Sequence, residues 1–305
     1  MAAALGASVV GLGNMGTAIA ERLLDAGHPL GVFNRSPGRD AALLERGASR
    51  LASAAEALAG PAVCLTSLAD DDAVDAAVCG PDGVLAGARP GTILVETSTI
   101  SVAASQRIAR LAADTEVHYL RAPVSGNPAA IRSGTAAIVV SGEAEVAARC
   151  EALLAAITPT VRYVGEGERA RILKLVLQVV IGGTAELLAE ALVLGEEAGV
   201  DRQTLLEVIG ASVVGSRFLD YKTKPLLEDD YSATFTTSML VKDVDLVLDL
   251  AHDTGVELPL TNELRTLLDD ACAAGHADQD FMALVLHLRE RTERARTAAD
   301  GRVAT

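Results

Sequence analysis

The sequence predicts an α/β fold: a doubly wound, mostly parallel sheet in the amino-terminal half, followed by an all-α domain that begins with one long helix. Short apolar runs alternate with helical patterns up to Val164, and strands that alternate with helices imply right-handed crossovers and parallel pairing. Beyond Val164 the pattern is helical throughout. The 305 residues leave room for two domains, which we place at 1–164 and 165–305.

The strands of the first domain share continuous Val, Ile and Leu runs, which are typical of strands buried on both faces. They are predicted at 7–11, 30–33 and near 62–66, 92–95, 117–120 and 136–140. Helices lie between them. Two of these helices, at 14–26 and 38–46, end at a glycine, which is a helix C-terminal signal.

The second domain begins with a helix predicted over 168–198 that is apolar almost all round. Such a helix is expected to be buried on every side. At the usual rise it spans about 45 Å, too long for one small domain to enclose. We therefore expect a second subunit to cover part of it, in a homodimer or a tetramer. Shorter helices are predicted at 201–211, 239–254, 261–274 and 279–290.

The charge of the chain limits its partners. The formal net charge of −15 argues against nucleic acid and against anionic membrane surfaces, which attract basic proteins. An anionic ligand would have to be held by local positive groups, because the overall field opposes it.

Cysteine usage and the amino terminus predict a cytoplasmic protein. The four cysteines form no C-x-x-C pair and are typical of free thiols in a reducing compartment. The histidines are scattered; His28 and His276 lie beside glycines and are interpreted as turn residues, so no metal site is predicted. The start lacks the basic flank of a signal peptide, and no apolar run reaches the roughly 18 residues of a membrane span.

A glycine motif follows the first strand and opens the first helix. Gly11-Leu12-Gly13-Asn14-Met15-Gly16 is G-x-G-x-x-G. In this context the first glycine permits a tight turn, the second lets a pyrophosphate approach the backbone, and the third lets helix and strand pack closely. Free N–H groups at the helix start favour phosphate. The motif predicts a Rossmann domain with residues 11–15 at the dinucleotide; a purely structural glycine turn is the alternative.

The end of the second strand predicts which dinucleotide binds. An acidic residue there would accept from a ribose 2′-hydroxyl and repel a 2′-phosphate. This chain has Asn34-Arg35-Ser36 instead, with one cation and two hydrogen-bonding side chains. We predict a preference for NADP(H) over NAD(H). The alternative is an ordinary surface arginine in a loop.

Two further strand ends should border the cofactor. Leu68 and Ala69 follow the strand near 62–66 and are placed at the ribose, while the acidic residues 70–72 after them are interpreted as a helix cap. Ser98 lies in the segment 96–99 after the next strand and is placed towards the nicotinamide.

One lysine stands out on the long helix. Lys174 is the sole charge between Ile172 and Ile181. An ammonium group there can stabilise the alkoxide that forms when a carbonyl accepts hydride, and can then supply the proton. Alternatively, its side chain extends to the surface. Gln178 lies four residues on, on the same helix face, and its amide is predicted to hold the substrate or orient the lysine.

Four blocks in this order resemble the β-hydroxyacid dehydrogenase family, and the resemblance spans nearly the whole chain. They are the glycine motif, Ala122-Pro123-Val124-Ser125-Gly126, Gly165-Glu166-Gly167 leading to Lys174, and Lys242-Asp243. The resemblance implies that Ser125 and Gly126 bind the substrate carboxylate, Lys174 is the catalytic acid/base, and Lys242 lies by the cofactor. It also implies a dimer or tetramer with the long helix central to the interface.

The chain departs from the family pattern at three positions. Gln178 stands where the family usually has Asn, Arg121 where Asp is common, and Asn127 where Gly is common. Arg121 is interpreted either as a second anion contact or as an exposed strand-end residue. Arg217 and Lys222 are further candidates to line the pocket, with a helix-surface charge as the alternative for Arg217.

Three functions follow from these patterns. The first is an NADP-linked dehydrogenase or reductase of a short 3-hydroxy acid. The second is an imine reductase, a class of similar architecture that usually carries Asp or Tyr in place of Lys174. The third is a non-catalytic NADP-binding sensor or scaffold, against which the retention of Lys174 argues. The related 6-phosphogluconate dehydrogenases are much longer and carry a His-Asn pair after their lysine, which this chain lacks.

Overall fold

The computed structural model describes residues 6–60 and 62–303, with the backbone alone for 298–303. The chain forms two compact units, residues 1–175 and 176–305. The predicted domain limits, 1–164 and 165–305, stay a prediction: they divide the chain before the long helix, whereas the compact units divide within it.

The first unit is built on a six-stranded sheet with the order β3-β2-β1-β4-β5-β6, in which every strand pair is parallel. Its strands are β1 (Ala7–Val10), β2 (Leu30–Phe33), β3 (Ser49–Arg50), β4 (Val63–Thr66), β5 (Ile93–Glu96) and β6 (His118–Arg121). The order reverses between β1 and β4, the switch point at which ligands bind in sheets of this kind. The predicted doubly wound sheet is confirmed.

Helices cover both faces of this sheet. They are α1 (Asn14–Asp25), α2 (Ala41–Glu45), α3 (Asp71–Val74), α4 (Val102–Asp114), α5 (Pro128–Arg132) and α6 (Ala144–Ile157), with short 3₁₀ or π turns at Ala54–Leu58, Asp75–Cys79 and Val84–Gly87. Side chains alternate along each strand: Val63 and Leu65 of β4 pack towards α1 and α6, and Cys64 packs towards α4. Each large apolar side chain buried in this way contributes about 1.5–3 kcal/mol.

A second, smaller sheet lies in the same unit. It has the order β7-β8-β9, with β7 (Val124–Ser125) antiparallel to β8 (Ala137–Val140) and β8 parallel to β9 (Thr160–Tyr163). The predicted strand at 136–140 exists but belongs to this sheet rather than to the main one.

The second unit is helical. After α7 (Arg169–Glu197), which begins in the first unit, it contains α8 (Arg202–Ala211), α9 (Arg217–Leu227), α10 (Thr237–Thr254), α11 (Pro259–Ala271) and α12 (Leu284–Val303). A π turn, Cys272–His276, extends α11, and a 3₁₀ turn, Phe281–Ala283, precedes α12. Leu192, Leu264 and Phe281 are among the buried residues of its core.

The long helix α7 matches its predicted span, but the expectation of burial on every side is wrong within one chain. Several large apolar side chains are exposed: Ile172, Leu173, Val176, Leu177, Val180, Leu187 and Leu194. In length and composition α7 would also suffice to span a membrane. The core helix of a soluble protein meets the same criteria, so this is weak evidence for a membrane.

Candidate functional site

The three glycines of the motif have three different surroundings. Gly11 has a φ of +93°, which favours glycine, and a Cβ there would lie 2.2 Å from the carbonyl oxygen of Ser67. A Cβ on Gly16 would lie 1.9 Å from the carbonyl oxygen of Gly11. A Cβ on Gly13 would meet no atom within 4 Å. Two glycines therefore make the turn possible, and the third keeps open the space in front of it.

That open space lies at the amino end of α1. Gly13 is the N-cap residue, and among the described residues no side chain caps this end and its first turn contains no acid. The first N–H groups of a helix lack intrahelical acceptors and carry the positive end of the helix dipole. Together with Asn14 and Met15, which follow Gly13, the turn fits a pyrophosphate.

Asn34 has a role that its position did not predict. Its side-chain oxygen accepts from the backbone N–H of Leu12 at 2.8 Å, and its amide nitrogen donates to the carbonyl oxygen of Ser36 at 2.9 Å. The carboxamide thus braces the glycine turn against the segment that follows β2. Arg35 and Ser36 are exposed beside it.

Ser98 connects two strand ends rather than presenting an exposed hydroxyl. It is 5% exposed, and its Oγ accepts from the backbone N–H of Leu68 at 2.8 Å. Leu68 in turn packs against Gly11, since a Cβ on Gly11 would lie 2.9 Å from the Leu68 Cδ2. Ala69 is exposed next to it. The interpretation of the acidic run as a cap is confirmed, because the Asp70 carboxylate accepts from the N–H of Ala73.

A fully buried ion pair anchors the start of α7 to the main sheet. Arg171 and Glu96, the last residue of β5, are both 0% exposed, and the Arg171 guanidinium binds the Glu96 carboxylate. Arg171 also donates to the carbonyl oxygen of Ser98. Burial opposes the charge of Arg171, but Glu96 more than compensates, so the pKa of Arg171 lies above its usual range.

A second buried pair fixes the residue just before α7. Arg121 binds the carboxylate of Glu168, and its guanidinium lies 4.3 Å from the centre of the Tyr119 ring. Ser141 adds two hydrogen bonds, donating to the carbonyl oxygen of Gly167 at 2.7 Å and accepting from the N–H of Ala170 at 3.1 Å. Arg121 is buried, so its interpretation as an exposed strand-end residue is wrong; that of a second anion contact stays a prediction.

Lys174 lies on α7 three residues beyond Arg171 and is half-buried. Residues three apart are neighbours on a helix surface. A chain of contacts therefore runs from the glycine turn through Leu68 and Ser98 to Arg171, on the helix turn before Lys174.

The predicted carboxylate-binding segment lies at the start of the small sheet. Ser125 ends β7, paired with Ala137, and is half-buried. Gly126 has a φ of +139° and is exposed. Asn127 caps α5, with its side-chain oxygen accepting from the N–H of Ala130 at 2.8 Å. The departure from Gly at 127 thus supplies a helix cap immediately after Ser125 and Gly126.

In the second unit, Gln178, Lys242 and Asp243 form one polar group. Gln178 is 2% exposed, and its amide nitrogen donates to the Asp243 carboxylate. The ammonium group of Lys242 lies 2.8 Å from the other carboxylate oxygen. The Gln178 Oε1 is buried and has no hydrogen-bond partner among the residues that the structure describes.

The two remaining pocket candidates, Lys222 and Arg217, differ in burial. Lys222 is buried and donates to Asp280 at 2.6 and 2.8 Å, so its role is to hold the helical core together. Burial lowers the pKa of Lys222, and Asp280 opposes that shift. Arg217 is exposed at the start of α9, after the capping residue Ser216.

Family comparisons match both parts of the chain. Residues 7–165 match the NAD-binding domain of 6-phosphogluconate dehydrogenase, and residues 168–288 match the NAD-binding domain of NADP-dependent 3-hydroxyisobutyrate dehydrogenase. The chain belongs to the β-hydroxyacid dehydrogenase family. The 2-(hydroxymethyl)glutarate dehydrogenase of Eubacterium barkeri is 29% identical over 277 residues, 90% of this chain and 92% of that protein.

Several solved structures are similar to this chain over nearly its whole length. The 3-hydroxyisobutyrate dehydrogenase of Mycobacterium tuberculosis, solved with L-serine, has a TM-score of 0.83 at 29% identity over 94% of this chain and 99% of its own. A protein named Psf3, solved with NADP⁺ and 2-OPP, has a TM-score of 0.85 at 25% identity over 92% and 99%. An imine reductase from Pseudomonas sp. has a TM-score of 0.61 at 24% identity over 93% and 99%, a likeness of fold alone.

This β-hydroxyacid dehydrogenase is therefore an oxidoreductase that acts on the CH–OH group of a hydroxy acid with a nicotinamide cofactor. The sequence did not indicate that Arg171 and Glu96 hold the start of α7. Two features of the sequence point to this pair: Arg171 directly precedes the apolar stretch that begins at Ile172, and Glu96 is an acid at the end of a buried strand.

Proposed function

We propose that the protein is an NADP(H)-dependent oxidoreductase that interconverts a short 3-hydroxy acid and its semialdehyde or keto acid, with Lys174 as general acid/base. The observation that carries the proposal is the run of contacts from the glycine turn to Arg171. It fixes the helix turn before Lys174 against the same strand ends that border the glycine turn, so cofactor and lysine share one rigid support.

The cofactor, when bound, supplies or accepts the hydride at the substrate carbon. In the reducing direction the Lys174 ammonium group stabilises the oxygen on which negative charge develops and gives it a proton. In the oxidising direction the neutral amine takes the hydroxyl proton. Lys174 thus moves one proton at one oxygen in either direction, and the helix anchor keeps the amine in place.

The substrate carboxylate is assigned to Ser125 and Gly126. The serine hydroxyl is a donor, and no side chain at Gly126 obstructs an approach to the backbone there. Gln178, which donates to Asp243, is assigned to the substrate, and Lys242 is assigned to the cofactor, as the family resemblance implies. L-serine, present in the mycobacterial relative, is itself a 3-hydroxy acid, which supports this substrate class.

The preference for NADP(H) rests on Arg35 and Ser36, with Asn34 bracing the turn. A guanidinium group matches the geometry of phosphate, and no acid at these three positions repels a 2′-phosphate. The NADP⁺ bound to one structural relative is consistent with this preference.

We further propose a homodimer, or a tetramer, in the cytoplasm. The exposed apolar side chains of α7 support association, because exposed apolar surface on this scale is typical of interfaces. All four cysteines are free thiols, as suits a reducing compartment.

Imine reduction is the second candidate, and fold alone supports it. A non-catalytic NADP-binding sensor or scaffold is the third. A panel of 3-hydroxy acids, semialdehyde acids and cyclic imines, assayed with NADPH and NADP⁺, separates the three. Turnover of imines alone, or tight NADPH binding with no turnover at all, would exclude the hydroxy-acid assignment.

The role of Lys174 is tested by replacement. Lys174→Ala should lower kcat by about 10²–10⁴-fold, the usual contribution of a positioned acid or base, while NADPH binding persists. Lys224→Ala, at an exposed lysine of α9, is the matched control and should leave kcat unchanged. Unchanged turnover in Lys174→Ala would refute the role.

A further inference from the structure

Two histidines and a glutamate converge at the carboxy-terminal end of the helical unit. His276 ends the π turn that extends α11, and His287 and Glu290 lie on α12, three residues apart and hence on one helix face. One ligand atom from each side chain lies within 4.8 Å of the other two. The proposed function uses none of these residues.

His287 lacks polar partners. It is 5% exposed, and neither of its ring nitrogens has a hydrogen-bond partner among the residues that the structure describes. A buried imidazole with two unpaired nitrogens is costly, because both lose hydration without compensation. Such a group needs a partner that the protein's own side chains do not supply.

His276 is oriented for ligation. Its Nδ1 lies 2.7 Å from the side-chain oxygen of Gln279, which can only accept, so Nδ1 carries the proton. In the neutral ring this leaves a lone pair on Nε2, which faces the Glu290 Oε1 at 3.3 Å. Two acceptors then face each other. A cation between them would resolve the conflict, and a ligating histidine typically donates its other N–H to such an oxygen.

We propose that His276, His287 and Glu290 form a site for a divalent transition metal, with Zn²⁺ as the best match. Two imidazole nitrogens and one carboxylate oxygen are ligands that zinc prefers, whereas Ca²⁺ and Mg²⁺ favour oxygen alone. Bonds of about 2.1 Å in a tetrahedron separate ligand atoms by roughly 3.4 Å, close to the 3.3 Å between His276 and Glu290. His287 supplies the third ligand atom, within 4.8 Å of the other two, and water takes the fourth position.

The neighbouring arginines do not occupy this site. The Arg294 guanidinium lies 3.7 Å from the Glu290 Oε2 and leaves Oε1 directed at His276. Arg291 lies 3.7 Å from an Asp270 carboxylate oxygen. Arg291 therefore pairs with a carboxylate outside the site, and Arg294 approaches only the second oxygen of Glu290. A bound metal would join the end of the π turn to α12 and so close the helical unit.

The test is zinc binding to the full chain without a polyhistidine tag. Metal is first removed with a chelator, and Zn²⁺ is then titrated by isothermal calorimetry. We expect one Zn²⁺ per chain, and a Kd weakened at least about tenfold in Glu290→Gln and in His287→Gln, since even outer-shell changes cost that much. His252→Gln removes an exposed histidine of α10 and is the matched control, with an unchanged Kd.

Two further measurements test the metal site even if the His287→Gln variant does not fold. Glu290 is only partly buried, so its conservative replacement by Gln should leave the circular dichroism spectrum intact. Co²⁺ should give the intense visible absorption of a tetrahedral site in the wild type and lose it in Glu290→Gln. Less than one Zn²⁺ per chain, or equal affinity and equal Co²⁺ spectra in the wild type and Glu290→Gln, would overturn the proposal.

Discussion

Removal of the Arg171 side chain should destabilise the first unit more than almost any other single truncation. Arg171→Ala leaves the Glu96 carboxylate fully buried without its cation, and it removes the donor to the Ser98 carbonyl. Breaking a buried pair from one side costs about 3–5 kcal/mol. At roughly 2–4 °C per kcal/mol for a domain of 150–250 residues, Tm should fall by roughly 6–20 °C.

The measurement is thermal unfolding by far-UV circular dichroism, because the chain has no tryptophan for fluorescence. The matched control is the double variant Glu96→Gln/Arg171→Met, which removes both charges and keeps the volume. It should recover most of the lost stability, since replacing both partners of a buried pair is often neutral or stabilising. A loss below about 1 kcal/mol in Arg171→Ala, typical of an exposed pair, would refute the reasoning. So would a double variant no more stable than the single one.

Three further predictions concern other parts of the chain. Gly13→Ala should keep the wild-type Tm but weaken NADPH binding in a fluorescence titration. Gly16→Ala should lower Tm sharply, because its Cβ would lie 1.9 Å from a carbonyl oxygen. Equal losses of Tm in the two variants would contradict this. Arg35→Ala should lower kcat/KM for NADPH about 10–100-fold, as expected for a lost charge-assisted hydrogen bond, and leave the NADH value as an internal control; equal losses with both would refute it. Burial raises the pKa of Glu186 from 4.5 to about 7, so its stabilising contribution is complete below pH 4.5 and is lost as pH rises towards 7. Glu186→Gln should therefore gain stability over the wild type across that range, by at most about 3 kcal/mol, in urea unfolding at several pH values; a constant difference would contradict the shift.

Local patterns predicted much of the fold. The main strands and the long helix follow from runs of apolar residues, and the glycine motif follows from its place between a strand and a helix. The helix α9 was not predicted, because Pro225 within it is a strong breaking signal that tertiary packing overrides. The small sheet was missed for a different reason: β7 has only two residues, and its pairing with β8 is not encoded in either segment alone.

The residues of the candidate site also differ in how far the sequence alone indicates their roles. The motif residues could be identified because their chemistry depends on neighbours in sequence. The roles of Arg171, Arg121 and Asn34 depend on partners far along the chain: Arg171 and Glu96 are 75 residues apart, and Asn34 and Leu12 are 22 apart. A single sequence carries no record of such pairs, so it does not reveal that the Asn34 side chain supports the glycine turn.

The Asn34 carboxamide has a consequence for any attempt to retarget the coenzyme. Because one amide both accepts from Leu12 and donates to Ser36, the glycine turn and residues 34–36 are held together by a single side chain. Aspartate at this position would keep the acceptor and forfeit the donor. Replacing residues 34–36 together would therefore also loosen the glycine turn. A successful change of coenzyme preference needs another side chain that makes both hydrogen bonds.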